Sequence, residues 1–177
     1  MHIAIASRLM AEKASALIKT PHAIISITDP DRGVPTFKPN ENRLGILHLQ
    51  FYDLEDISEE MSLKDAVEYV TMFGHGLFKD NQAAEIVDFV EGIKDKARGI
   101  LVHCEAGVSR SAAVAAVIEL ILNGSNDRVF NDRRYSPNQY VYGKLLLAWQ
   151  KKLKELPDPK PSNERRRTEE GADSGAL

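Results

Sequence analysis

The chain has one cysteine, Cys104, among 177 residues. It can form no internal disulfide, and a paired zinc–cysteine site, which takes several sulfur or imidazole ligands, is excluded. A lone thiol suits a reducing compartment, so a cytoplasmic protein is expected. Long apolar runs are missing too. Nothing approaches the roughly 18 consecutive apolar residues of a membrane-spanning helix, so no membrane partner is expected. The opening Met1-His2-Ile3-Ala4-Ile5-Ala6 lacks the basic and long apolar regions of a signal peptide. Charge of one sign is scarce as well. A net charge of −3 gives no general attraction to nucleic acid or to anionic lipid. No internal repeat is visible.

What is present suits one globular domain. The chain is 43% hydrophobic and 28% charged, enough apolar content for a sizeable core. Ile3 to Ala6 reads as a short strand, with Ser7 as the N-cap of a helix over 8–18. His22 to Thr28 reads as a buried strand, followed by turn chemistry at Asp29-Pro30-Asp31-Arg32-Gly33. Another strand spans 44–51. A helix over 58–73 would put Leu63, Ala66, Val67 and Val70 on one face. Gly74-His75-Gly76 breaks it, and Asp80 or Asn81 would cap the next helix. A strand over 99–103 precedes a helix over 110–122, and Ser136-Pro137-Asn138 opens a last helix to about residue 153. Strands alternating with helices predict an α/β fold: a single domain with a central, largely parallel sheet flanked by helices. That domain is expected over 1–156. The Pro-, Arg- and Glu-rich residues 157–177 are too polar to bury a core and are expected to form a disordered tail.

The chemistry concentrates in His103-Cys104-Glu105-Ala106-Gly107-Val108-Ser109-Arg110-Ser111. A buried strand runs into a tight loop and the loop into a helix. A free thiol ionises near pH 8.5, so a cysteine nucleophile needs help. The positive end of the following helix and the N–H groups of the curled loop supply it. The same donors suit a phosphate group. Gly107 lets the backbone turn sharply. Arg110 offers a planar fork for two phosphate oxygens. Ser109 and Ser111 place hydroxyls nearby, and Ser111 could donate to the sulfur. His103 is either a hydrogen-bonded core histidine or a group that orients the loop. Glu105 reads as a solvated loop residue, because its charge would oppose thiolate and phosphate alike.

This stretch resembles the signature of the cysteine-dependent protein tyrosine phosphatases, His-Cys-x-x-Gly-x-x-Arg-Ser/Thr. Its interior residues look most like the dual-specificity branch. Ser136-Pro137-Asn138 followed by Gly143-Lys144-Leu145-Leu146 resembles the helix opening that this branch carries after the signature. The resemblance covers residues 99 to 150; before that only the order of strands and helices matches. It implies that Cys104 attacks phosphorus and forms a phosphocysteine. Backbone from Glu105 through Ala106, Gly107, Val108 and Ser109 would bind the phosphoryl oxygens together with Arg110. Ser111 would assist breakdown of the intermediate, and neither metal nor other cofactor would be needed.

The leaving oxygen also needs a proton. The family takes it from an Asp on a separate loop before the signature. No Trp-Pro-Asp occurs here, and every candidate stands at an unusual distance from Cys104. Asp53 follows the apolar strand Leu47-His48-Leu49-Gln50-Phe51-Tyr52, and ligands gather at the C-terminal ends of parallel strands. It is therefore preferred to Asp56, which could instead be a neighbouring carboxylate that raises the acid's pKa. Asp65 and Asp80 read as helix residues. Asn138 is expected to shape the first turn of its helix, with a hydrogen bond onto a catalytic loop as the second choice.

The expected function is therefore hydrolysis of phosphotyrosine in a protein or peptide, with phosphoserine and phosphothreonine left open. A Lys-Asn-Arg-Tyr stretch, used by the larger tyrosine-specific enzymes to deepen the cleft, is absent, which favours a shallower site. Two alternatives stand beside it. One is a phosphatase for a phosphoinositide or an RNA 5′ phosphate, disfavoured by the acidic or neutral loop residues Glu105, Ala106, Val108 and Ser109. The other is a phosphate-binding pseudophosphatase.

Overall fold

In the computed structural model, residues 1–54 and 61–155 are described. The element order is β1 (His2–Ser7), α1 (Arg8–Ala14), β2 (His22–Thr28), β3 (Arg43–Gln50), α2 (Leu63–Phe73), α3 (Asp80–Ile93), β4 (Gly99–Cys104), α4 (Arg110–Asn123), α5 (Asp127–Phe130) and α6 (Gln139–Glu155). The four strands form one sheet in the order β1-β4-β2-β3, and every neighbouring pair is parallel. The expected α/β architecture is therefore present. Asp56 and the segment 157–177 lie outside the described residues.

Parallel strands with helices on both faces are buried on both faces, so they read as unbroken apolar runs. β2 is the clearest case: all seven of its residues are buried. Side chains alternate across the sheet. Ile25, Ile27, Ile100, Val102 and Cys104 enter the larger core, with Val114, Val117, Leu145 and Trp149 from α4 and α6. Ile24 and Leu101 face the other way, against Ala11 of α1 and Phe37. Each buried isoleucine or leucine contributes roughly 1.5–3 kcal/mol. α4 is buried continuously from Arg110 to Glu119, which explains its lack of a polar stripe. It ends where Gly124 takes φ +82°, a left-handed cap.

Several boundaries differ from the sequence reading. The first helix stops at Ala14 and continues as a 3₁₀ turn over Ser15–Leu17. The helix expected from residue 58 is described only from Leu63, and its apolar face is not covered: no residue of α2 is buried, and Leu63 is 82% exposed. Apolar spacing marks a face but says nothing of whether another element reaches it. The α3 cap is Lys79 rather than Asp80 or Asn81; its backbone N–H donates to the Gln82 side chain at 3.0 Å. The four-residue α5 is too short to leave a periodic pattern. No helix among the described residues is long and apolar enough to cross a membrane.

Candidate active site

The site lies at the C-terminal ends of β2, β3 and β4, where α4 begins. Cys104 is the last residue of β4 and is 2% exposed. Its Sγ lies 3.1 Å from Ser111 Oγ and accepts the Gly107 N–H at 3.3 Å. The loop between has a fixed orientation. The carbonyls of Glu105, Val108 and Ser109 accept from the backbone N–H groups of Arg8, Ser136 and Ala113. A trans peptide sets each carbonyl opposite the next N–H. The N–H groups of Ala106, Ser109 and Arg110 are thereby turned away from those three partners. Backbone N–H groups at a helix N-terminus make a site for an anion.

Gly107 makes this curl possible. Its φ is +76°, and a Cβ there would stand 2.5 Å from the Ala6 carbonyl carbon and 2.6 Å from Ser7 N. Both the backbone conformation and the close approach to the end of β1 require glycine.

Arg110 is 4% exposed and ties three elements together. From the first residue of α4, its Nη1 donates at 2.6 Å to Asp29 Oδ1, just beyond β2, and at 2.6 Å to the Phe51 carbonyl, just beyond β3. Its Nε is 4.0 Å from Asp53 Oδ2. Asp53 Oδ1 accepts from Ser109 Oγ at 2.7 Å and from Asn138 Nδ2 at 2.9 Å. The preferred carboxylate of the sequence reading is thus beside the loop despite its distance along the chain. The turn at Gly74–Gly76 braces it from behind: Tyr52 donates its N–H to the Gly76 carbonyl at 2.7 Å, and its ring lies where a Gly76 Cβ would be.

Asn138 bridges the start of α6 and the Asp53 segment. Its Oδ1 accepts from Val141 N at 2.9 Å, closing the first turn of α6, and its Nδ2 also donates to the Leu54 carbonyl at 2.9 Å. The last helix and the Asp53 loop are joined through this one buried amide. Glu105 is paired with Arg8 at 3.3 Å. Asp65 accepts from Ser62 in the N-terminal turn of α2, and Asp80 pairs with Lys144; neither reaches the loop. Asp29 is the residue that sequence reasoning missed, having been read as turn chemistry. The strand-end rule that selected Asp53 could have found it.

His103 points to the opposite face of the sheet from Cys104. Its Nε2 is 2.9 Å from Ser26 Oγ, and the Phe37 ring lies edge-on at 5.7 Å between centroids. Burial, opposed by the hydrogen bond to the Cys104 carbonyl, holds its pKa below the ordinary 6.5. The folded imidazole is therefore neutral where the unfolded one begins to protonate. Its contribution to stability is complete above about pH 6.5 and declines as pH falls below that, at up to about 1.4 kcal/mol per pH unit. His48 is shifted in the same direction by partial desolvation, but it is exposed, so solvent screening leaves it a small share of the slope. Urea unfolding from pH 7.5 to 5 should show this loss, and His103→Gln should flatten part of it. An unchanged slope in the variant would contradict the assignment.

Among the described residues, no cluster of three or more His, Cys, Asp or Glu side chains is placed to hold a metal ion.

The arrangement resembles that of a cysteine phosphatase: a sulfur beside backbone N–H groups, a buried guanidinium and a carboxyl at the rim. Comparison with known proteins points the same way. No protein-family model matches the chain. Over 83 residues it is 32% identical to the human dual specificity protein phosphatase 5, a match covering 44% of this chain and 22% of that protein. The chain thus spans only a small part of that relative's length. Among solved structures it is similar to human DUSP28, with a TM-score of 0.52 and 15% identity over 87% of this chain and 95% of that one. DUSP15 gives a TM-score of 0.51 and 17% identity over 86% of each chain. At such identities the likeness is one of fold. The chain is dual-specificity-phosphatase-like in its signature, in its matched segment and in its architecture.

Proposed function

We propose that the chain hydrolyses phosphotyrosine in proteins or peptides, with phosphoserine and phosphothreonine as further substrates, through a phosphocysteine and without a metal. The observation that carries this reading is the pairing of Cys104 Sγ with the Gly107 N–H and the Ser111 hydroxyl, on a loop that leads into the buried Arg110. Residues 1–156 act as one catalytic domain in this reading, and the cytoplasm keeps the lone thiol reduced.

In the first step the Cys104 thiolate attacks phosphorus. The S–P bond forms, the ester P–O bond breaks, and Asp53 gives its proton to the departing oxygen. The equatorial oxygens keep their charge throughout, held by the loop N–H groups and Arg110. In the second step Asp53, now a carboxylate, takes a proton from water as the water oxygen bonds to phosphorus. The S–P bond breaks, and Ser111 Oγ, 3.1 Å away, donates to the leaving sulfur. Inorganic phosphate is released, and the Cys104 thiolate and the protonated Asp53 are regenerated.

The loop variables Glu105, Ala106, Val108 and Ser109 carry no cation, which favours a phosphoprotein over a polyanionic lipid or RNA end. Kinetics on matched phosphotyrosine and phosphoserine peptides in EDTA test the reading. Turnover of the phosphotyrosine peptide at full rate in chelator is expected. A requirement for added divalent metal, or turnover of neither peptide, would overturn it.

A further inference from the structure

Arg110 is gripped on one side only. Its Nη1 has two acceptors at 2.6 Å, Asp29 Oδ1 and the Phe51 carbonyl. Its Nε is buried and has no hydrogen-bond partner among the described residues, with Asp53 Oδ2 at 4.0 Å. A guanidinium is flat, and its N–H groups point in fixed directions. With Nη1 occupied, the edge left to bind a ligand bidentately is the one formed by Nε and Nη2. A buried donor without a partner is costly. A tetrahedral oxyanion seated in the loop satisfies that edge through two of its oxygens.

We propose that Asp29 is a positioning residue: it fixes the roll of the Arg110 guanidinium so that the Nε–Nη2 edge faces the phosphoryl group. The inference rests on the phosphatase reading of the same loop. Asp29 itself touches no reacting atom. Its place suits the task, since it directly follows β2, a fully buried strand paired with β4, the strand that ends in Cys104. The carboxylate and the cysteine therefore stand on neighbouring strands of one sheet, and a rigid frame sets their separation. The Phe51 carbonyl alone could not fix the roll, because one acceptor leaves the guanidinium free to swing about it. Two acceptors on Nη1 define the plane.

The test uses the full chain with Asp29→Ala, Asp29→Asn and Arg110→Lys, assayed on an aryl phosphate and by tungstate inhibition. Asp29→Ala should lower kcat by about 10–100-fold, the scale on which a misplaced catalytic group is felt, with KM within about threefold. Tungstate should bind more weakly. Asp29→Asn keeps an acceptor oxygen and should lose less; it carries the test if the alanine variant fails to fold. In the Arg110→Lys background, which has no fork to orient, Asp29→Ala should cost less than about twofold. A kcat within twofold of the parent for Asp29→Ala, or an equal loss in both backgrounds, would overturn the proposal. If the parent itself turns over no aryl phosphate, the phosphatase reading fails separately. Calorimetry with tungstate then decides Asp29: about tenfold weaker binding in Asp29→Ala supports the positioning role, and equal binding ends it.

Discussion

Cys104→Ser should reduce turnover by roughly four orders of magnitude or more while leaving an oxyanion able to bind. The two atoms are similar in size and differ in what they can become. A thiol reaches its anion near neutral pH when N–H donors surround it, whereas an alcohol in the same place stays protonated and nucleophilically weak. The donors that hold the phosphoryl oxygens belong to the backbone and to Arg110, and the substitution removes none of them, although the Gly107 N–H must meet an oxygen in place of sulfur. Ser111 Oγ, 3.1 Å from the sulfur, can hydrogen-bond to the new hydroxyl, so the loop should keep its shape. Steady-state kinetics on a phosphotyrosine peptide and calorimetric titration with tungstate read the two effects apart. Activity above about one per cent of the parent would mean that sulfur is not the nucleophile. Loss of tungstate binding together with activity would mean that the loop had collapsed, and the variant would say nothing about chemistry.

The parts of this site that were legible in the sequence are those whose meaning is local. Cys104, Gly107 and Arg110 are joined by one short loop, so their spacing alone prescribes a curl around an anion. β2 was legible to the residue because burial on both faces writes itself as Ala23-Ile24-Ile25-Ser26-Ile27. Asp53 could be located because strand ends in a parallel sheet collect ligands, even though the chain runs through α2 and α3 before returning to β4. Asp29 obeys the same rule but stands in an Asp-Pro turn, where a carboxylate already has a local explanation. Its partner Arg110 lies 81 positions away, and no spacing rule connects them. The α2 surface shows the converse failure. Leu63, Val67 and Val70 have helical spacing, yet none is buried, because periodicity describes one element and burial needs two.

Asn138 shows how the distant parts are held in register. One amide caps α6 through its oxygen and holds Asp53 and the Leu54 carbonyl through its nitrogen. Its backbone N–H is directed at the Ser109 carbonyl at 3.4 Å. The phosphate loop, the rim carboxyl and the last helix thus meet in a residue that is 2% exposed. A polar group so buried is kept only with its bonds satisfied, so the Ser-Pro-Asn opening serves the site as well as the helix.

Asp53→Asn should produce the second large effect, a loss of about 10²–10⁴-fold on an ester with a poor leaving group. In the folded chain Oδ1 is committed to Ser109 and Asn138, whereas Oδ2 is turned toward Arg110. Oδ2 is therefore the oxygen free to carry the proton in the proposed first step. Asparagine can retain the Oδ1 contacts but has no acidic proton to give. The loss should accordingly shrink for an aryl phosphate whose leaving group departs as a stable anion, and grow for phosphotyrosine and phosphoserine. The pH profile supplies the sign. With an acid required in its protonated form, kcat falls as pH rises and that carboxyl ionises in the substrate complex. The variant should lack this descending limb, while the ascending limb set by the nucleophile remains. Asp56→Asn is the matched control, because Asp56 was the other carboxyl considered. It should keep the limb. If Asp56→Asn abolishes it and Asp53→Asn does not, the proton comes from Asp56, and the Ser109 and Asn138 contacts to Asp53 are structural alone.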